Sequence, residues 1–282
     1  MRVVGSSERQ KQATMFENVS NLAELAIQAV YPNVCALCGA ATPTAQRALT
    51  RRNLPIRALV CTECLERIVA PTNTFCYRCG AVVKPGNYTG KCQPSCAQNF
   101  AFDRVCPMNF YRGLIRAVIL RLKHEHDPLL ANVVANIYFA ARKRSLEAFQ
   151  PDCVVAVPMN WRRKLLRGGV NAPETIAKEL ARKLGVPNMS SFVRRARATA
   201  PQTAVEWSNR AVNVEGAFKI RRSIFGRAVL APFDGKRVVL VDDAITTGAT
   251  VNEIARLLRE NGAQAVFVAA LARAGLGGIH NN

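Results

Sequence analysis

The sequence predicts an α/β fold in which a mostly parallel sheet is flanked by helices and preceded by a small cysteine-rich module. Three observations carry this expectation. From about residue 110 onward, short apolar runs alternate with segments of helical spacing, the pattern of strands covered by crossover helices. Eight of the ten cysteines fall within residues 35–96. One apolar run, Val238–Val241, ends in two adjacent acids and a hydroxyl-rich, glycine-containing loop.

Composition narrows the classes of function. The 282 residues carry 39 Lys and Arg against 19 Asp and Glu, a formal charge of +20. Such an excess suits an anionic partner: nucleic acid, a phosphorylated metabolite or a membrane surface. No apolar run reaches the ~18 residues of a transmembrane helix, so membrane insertion is not expected. The first eight residues, Met1–Glu8, lack the apolar core of a secretory signal. A cytoplasmic location follows, where thiols stay reduced. Residues 1–14 read as a flexible tail. Residues 15–34 read as an amphipathic helix, with Phe16, Val19, Leu22, Ala26, Ile27 and Val30 on one face, docked on its own protein.

The cysteine module spans residues 35–106. Its cysteines come in pairs: Cys35 and Cys38, Cys61 and Cys64, Cys76 and Cys79, then the looser Cys92 and Cys96. A Cys-x-x-Cys turn presents two thiolates on one side of a tight loop, and two such turns complete a tetrahedral zinc site. Eight ligands make two structural Zn2+ sites. Gly39 and Gly80 follow the second cysteine of their pairs, where a knuckle calls for positive φ. Pairing in sequence order is favoured, with a cross-braced arrangement as the alternative. Disulfides or a thioredoxin-like redox motif are the rival reading, disfavoured by four clustered pairs without a signal peptide. Cys106 and Cys153 stand alone and read as buried thiols.

Residues 107–282 carry the α/β pattern. Helical spacing runs over 114–122 and 129–144. Val154–Val157 is a buried strand ending at Pro158. The helix 173–184 is closed by Gly185 and Pro187. Strand 237–241, helix 250–261, Gly262 and strand 265–271 complete the series. Ligands of such sheets bind beyond the carboxyl ends of the strands.

One strand end has distinctive chemistry. After Val241 come Asp242, Asp243, Ala244, Ile245, Thr246, Thr247, Gly248, Ala249 and Thr250. Backbone N–H groups at the start of the following helix form an anion site, and threonine hydroxyls add donors. The acids repel phosphate but accept hydrogen bonds from sugar hydroxyls. A ribose 5-phosphate satisfies both halves, with phosphate in the loop and the 2- and 3-hydroxyls on Asp242 and Asp243. The plain alternative is a helix start beside two solvated acids.

These residues resemble the phosphoribosyl-pyrophosphate (PRPP) signature of type I phosphoribosyltransferases. Further segments resemble the ComF family, which joins a double zinc ribbon to a phosphoribosyltransferase domain. They are the run 30–39 entering the first knuckle, Leu122-Lys123-His124, and Val157-Pro158 followed by Arg162, Arg163, Arg167 and Gly168. Arg195, Arg197, Thr199 and Gln202, then Arg210, Asn213 and Gly216–Phe218, are similar to the family's most particular motif. The resemblance spans about residues 29–273. It departs at Arg167–Pro173, where one residue is inserted and an aromatic and a Gln are missing, and mildly at His124.

The resemblance implies binding of PRPP with Mg2+. Asp242 and Asp243 would be the catalytic acids, and residues 244–250 would hold the phosphate. Pro158, Met159 and Asn160, with Arg162, Arg163 and Lys164, would meet pyrophosphate. Arg195, Arg197, Thr199 and Gln202 would line a hood over the second substrate, a surface basic patch being the rival reading. Lys123 is placed within reach of the site, while His124–Asp127 read as loop residues.

Two functions follow. One is a PRPP-binding transferase, with a non-catalytic PRPP-binding regulator as a variant. The other is a single-stranded DNA-binding protein using its zinc ribbons and basic face. The family's link to competence and DNA uptake adds a helicase-type or other cytosolic protein partner. Residues 159–230 carry 15 Lys and Arg against 4 Asp and Glu, which suits either ligand. The two acids at the strand end favour PRPP, since a DNA backbone gains nothing from them.

Overall fold

The computed structural model describes residues 34–41, 59–71, 74–83, 100–125, 127–159, 171–197, 214–221, 223–224, 227–228 and 231–274. The amphipathic helix expected over residues 15–34 lies almost wholly outside them. The chain forms two compact units, residues 1–62 and 63–282. The first described helix, α1 (Thr62–Ile68), carries the chain across that boundary.

The larger unit is built on a four-stranded parallel sheet. Its strands are β1 (Arg104–Phe110), β2 (Cys153–Ala156), β7 (Arg237–Ile245) and β8 (Ala265–Arg273), in the order β1-β8-β7-β2. β2 and most of β7 and β8 are buried along their length, which is why they read as continuous apolar runs. β1 takes in residues 104–106 as well, so the sheet begins ahead of residue 107.

Helices supply the crossovers. They are α2 (Gly113–His124), α3 (Pro128–Phe149), α4 (Ala172–Leu184) and α5 (Ala249–Glu260). α2 buries Ile115, Val118, Ile119 and Leu122, one stripe at helical spacing. Asp127 caps α3 by accepting from the N–H groups of Leu129 and Leu130, with Pro128 at the first helical position. α4 ends at Gly185 in the left-handed conformation (φ 70°). Arg142 of α3 is buried and donates to the carbonyls of Pro107, Ala70 and Met108. It thereby straps the chain after α1 to β1.

Two small antiparallel ribbons complete the described unit: β3 (Val193–Arg195) with β4 (Phe218–Ile220), and β5 (Ser223–Ile224) with β6 (Arg227–Ala228). The core beneath them joins Phe102, Val155, Val193, Phe218, Phe233, Leu240, Ile254 and Leu258.

Candidate functional site

The carboxyl edge of the sheet carries Asp242, Asp243 and the loop that follows them. β7 continues past the apolar run because Asp242 and Ala244 still pair with Ala270 and Ala272 of β8. Asp242 and Asp243 are both partly buried. The Asp243 N–H donates to Asp242 Oδ1 at 2.9 Å. Lys123 Nζ, from the end of α2, lies 3.2 Å from Asp243 Oδ1, with the carboxylate side chain only 15% exposed.

Burial, and then the charge of Asp243, push Asp242 up to about 8, against the opposing fields of Lys123 and Arg195. Burial works against the Lys123 charge, but Asp243 and then Asp242 more than offset it and raise its pKa. Near neutral pH the site therefore presents a neutral carboxyl at Asp242, able to donate and accept, beside a Lys123–Asp243 ion pair. That combination suits a polyhydroxylated ligand.

The loop follows directly. Gly248 adopts φ 88° as the N-cap of α5, a conformation that favours glycine. The Ala249 N–H donates to Thr247 Oγ1 at 3.2 Å, and the Asn252 N–H to the Gly248 carbonyl at 2.8 Å. Thr246, Thr247 and Thr250 are partly buried around this helix start, where backbone donors and the helix dipole favour an anion.

The neighbouring strand end lies alongside. The Val157 N–H donates to the Val241 carbonyl at 2.9 Å, so Pro158 and Met159 emerge next to the acids. Asn160, Arg162, Arg163, Lys164, Arg167 and Gly168 lie outside the described residues.

The β3–β4 ribbon brings together both halves of the Arg195–Phe218 motif. Arg195 pairs with Phe218 across the ribbon, its guanidinium 5.1 Å from the ring centroid. The Arg197 guanidinium donates to the Glu215 carbonyl at 2.6 Å. Glu253 of α5 accepts from the Gly216 N–H at 2.7 Å, fastening the approach to β4 onto α5. Arg195 acts on Asp242 electrostatically, which aligns it with the acids. Thr199, Gln202, Arg210 and Asn213 fall outside the described residues.

Of the expected cysteine turns, Cys35–Cys38 and Cys76–Cys79 form knuckles, whereas Cys64 lies within helix α1. In each knuckle the first cysteine N–H bonds the carbonyl five residues on: Cys35 to Ala40 at 2.7 Å and Cys76 to Ala81 at 2.8 Å. The glycine N–H returns to the first cysteine carbonyl at 2.8 Å in both, with φ 75° at Gly39 and 71° at Gly80. The sulfurs of Cys35, Cys38, Cys61 and Cys64 all lie within 4.8 Å of one another. The Cys61 N–H points to Cys35 Sγ at 3.4 Å. This is the sequence-order pairing, and its four-sulfur donor set fits zinc. Cys76 and Cys79 are buried, while Cys92 and Cys96 lie outside the described residues. Burial pushes the Cys153 thiol up to about 12 and raises that of Cys106, as inert thiols require.

Sequence reasoning missed Glu253 and Arg273. Glu253 sits in an ordinary helical Glu/Arg pattern with Arg256, which gave no sign of its bond to the ribbon. Arg273 ends an apolar strand and is 3% exposed. Its guanidinium donates to the carbonyls of Ile245 (3.2 Å) and Thr246, where the threonine-rich loop begins.

Comparison with known proteins identifies the family. Residues 127–280 match the phosphoribosyl transferase domain family. The sheet and its strand-end loop therefore define a phosphoribosyl transferase-type protein. Competence protein F of Haemophilus influenzae is 30% identical over 222 residues, covering 76% of this chain and 90% of that relative. DNA utilization protein YhgH of Escherichia coli is 31% identical over 220 residues, with the same coverage. The chain belongs to the ComF family. Among solved structures, the glutamine PRPP amidotransferase from B. subtilis matches 43% of this chain and 22% of its own at 25% identity, with a TM-score of 0.27. No helix among the described residues is long and apolar enough to cross a membrane.

Proposed function

We propose that this chain binds PRPP with Mg2+ at the carboxyl end of β7 and transfers or recognises its phosphoribosyl group, in a role linked to DNA uptake. The observation that carries the reading is the pairing of two opposite chemistries in nine consecutive residues. Asp242 and Asp243 suit sugar hydroxyls, and the Thr246–Thr250 helix start suits a phosphate. Transfer breaks the bond between C1 and pyrophosphate and builds positive charge on the ribose ring. The residues would act by holding the two ends of the ligand in line and stabilising charge, rather than by covalent chemistry. Asp243, paired with Lys123 at 3.2 Å, would face the ribose, and Pro158 and Met159 would border the leaving pyrophosphate. Mg2+, when bound with the ligand, would supply positive charge that neutralises the diphosphate. Zinc at the cysteine knuckles would be structural.

A second reading, binding of single-stranded DNA, is favoured by the 15-to-4 excess of basic over acidic residues in 159–230. The name DNA utilization protein carried by a relative points the same way. The readings are compatible in one molecule, and a competence helicase-type protein remains a candidate partner. Titration with Mg2+–PRPP, and separately with single-stranded DNA at two salt concentrations, distinguishes them. The PRPP reading predicts saturable binding that Asp242→Ala with Asp243→Ala abolishes; equal affinity in the double variant overturns it. The DNA reading predicts affinity that falls steeply with salt, and no binding at low salt removes it.

A further inference from the structure

The second cysteine knuckle and the phosphate loop are packed together in the larger unit, and two side chains make the connection. The first is Arg273. Its Nη1 donates to the carbonyls of Ile245 (3.2 Å), Thr246 and Ala274 (3.4 Å). Its Nε is buried and has no hydrogen-bond partner among the described residues. A Cβ added at Gly80 would come 3.3 Å from both Arg273 Cδ and Nε and 3.2 Å from Val105 Cγ1. The knuckle backbone therefore closes directly over the guanidinium stem, and glycine is needed there for space as well as for its φ of 71°.

The second is Phe100. It packs against the cluster of Cys76, Cys79 and Ala81. A Cβ at Gly248 would lie 3.7 Å from Phe100 Cε1. The knuckle is itself anchored, since the Val105 N–H donates to the Tyr77 carbonyl at 2.8 Å and Arg78 donates to the Phe100 carbonyl at 2.8 Å.

We propose that the Cys76–Gly80 knuckle is the back wall of the phosphate loop, with Arg273 as the positioning residue that links them. The knuckle fixes the guanidinium, and the guanidinium fixes the carbonyls from which the loop departs. Integrity of the knuckle, including metal held by its cysteines, thereby sets how well Thr246–Thr250 is preorganised for phosphate. Cys76 and Cys79, with N–H groups of Arg78 and Ala81 at 3.4 and 3.5 Å from their sulfurs, would supply two of the donors of such a metal. The inference rests on the PRPP reading for its ligand, but its mechanical content does not.

The test uses the full chain and three readouts: zinc per chain, amide hydrogen exchange over residues 245–250, and titration with Mg2+–PRPP. Arg273→Met is expected to keep its zinc, to exchange faster in the loop, and to bind PRPP about tenfold more weakly, the scale of losing charge-assisted hydrogen bonds. Arg273→Lys, which keeps a charged donor, should recover part of both effects. Chelation of zinc from the wild-type protein should speed the same loop amides, which keeps the proposal testable if Arg273→Met does not fold. Unchanged loop exchange in Arg273→Met with zinc retained, or in the chelated wild type, overturns it. If wild type binds no PRPP while the exchange changes appear, the PRPP reading fails and the linkage stands.

Discussion

Asp242→Asn should stabilise the free protein while weakening the site. Burial and Asp243 raise the folded Asp242 carboxyl to about 8, from 3.8 in the unfolded chain. A folded value above the unfolded one means that folding favours the protonated form. The stability this contributes is fully present below about pH 4, is lost as pH rises, and is gone above about pH 8. Asparagine is neutral throughout, so the advantage of the variant should be near zero at about pH 4 and grow to a plateau. Each pKa unit corresponds to about 1.4 kcal/mol, and even half of the shift gives about 3 kcal/mol at pH 8. In a domain of this size that is a melting-point rise of about 6–12 °C. Thermal or urea melts of both proteins across pH 4–9 measure it. Asp243→Asn should flatten the wild-type pH dependence, because it removes the neighbouring charge and leaves Lys123 to Asp242 alone. An Asp242→Asn protein no more stable than wild type at pH 8 would falsify the reasoning.

Further outcomes follow from single contacts. Arg142→Met removes its bonds to the carbonyls of Ala70, Pro107 and Met108, of which Met108 still accepts from the Ala70 N–H at 2.9 Å, and should cost about 3 kcal/mol in a urea melt. Asp127→Ala removes the cap of α3 and should cost about 1 kcal/mol; no measurable loss would mean that the cap is replaced by solvent. Metal analysis should find about two zinc ions per chain, and one would show that Cys92 and Cys96 do not complete a second site. Arg195→Ala with Arg197→Ala should weaken single-stranded DNA binding and make its salt slope shallower; an unchanged slope would place the DNA contact elsewhere.

How much of this was legible in the sequence depended on whether periodicity carried it. The stripe Ile115, Val118, Ile119 and Leu122 and the runs at Val154 and Val238 each present an uninterrupted pattern, and each became the expected element. β1 did not, because Pro107 and Asn109 break its pattern. As the edge strand beside β8, it can place a proline where no ladder bond is needed. The strand β7 ran longer than its apolar stretch because ladder pairing with β8 carried Asp242 and Asp243 along. The knuckles were legible from cysteine spacing and glycine alone. Lys123 was anticipated near the site, but its partner Asp243 is 120 positions away, and only the fold reveals the pair. Arg273 was hidden for the opposite reason: its partners are backbone carbonyls, which leave no trace in side-chain identity.

The central claim is that PRPP is held at one place, with phosphate on Thr246–Thr250 and ribose on Asp242 and Asp243. Mapping amide protection on adding Mg2+–PRPP tests it most directly. Protection concentrated in residues 244–252 and at Val157–Met159, and absent from the Asp242→Ala, Asp243→Ala double variant, is the predicted result. Protection confined to other segments, or the same pattern in the double variant, would contradict it.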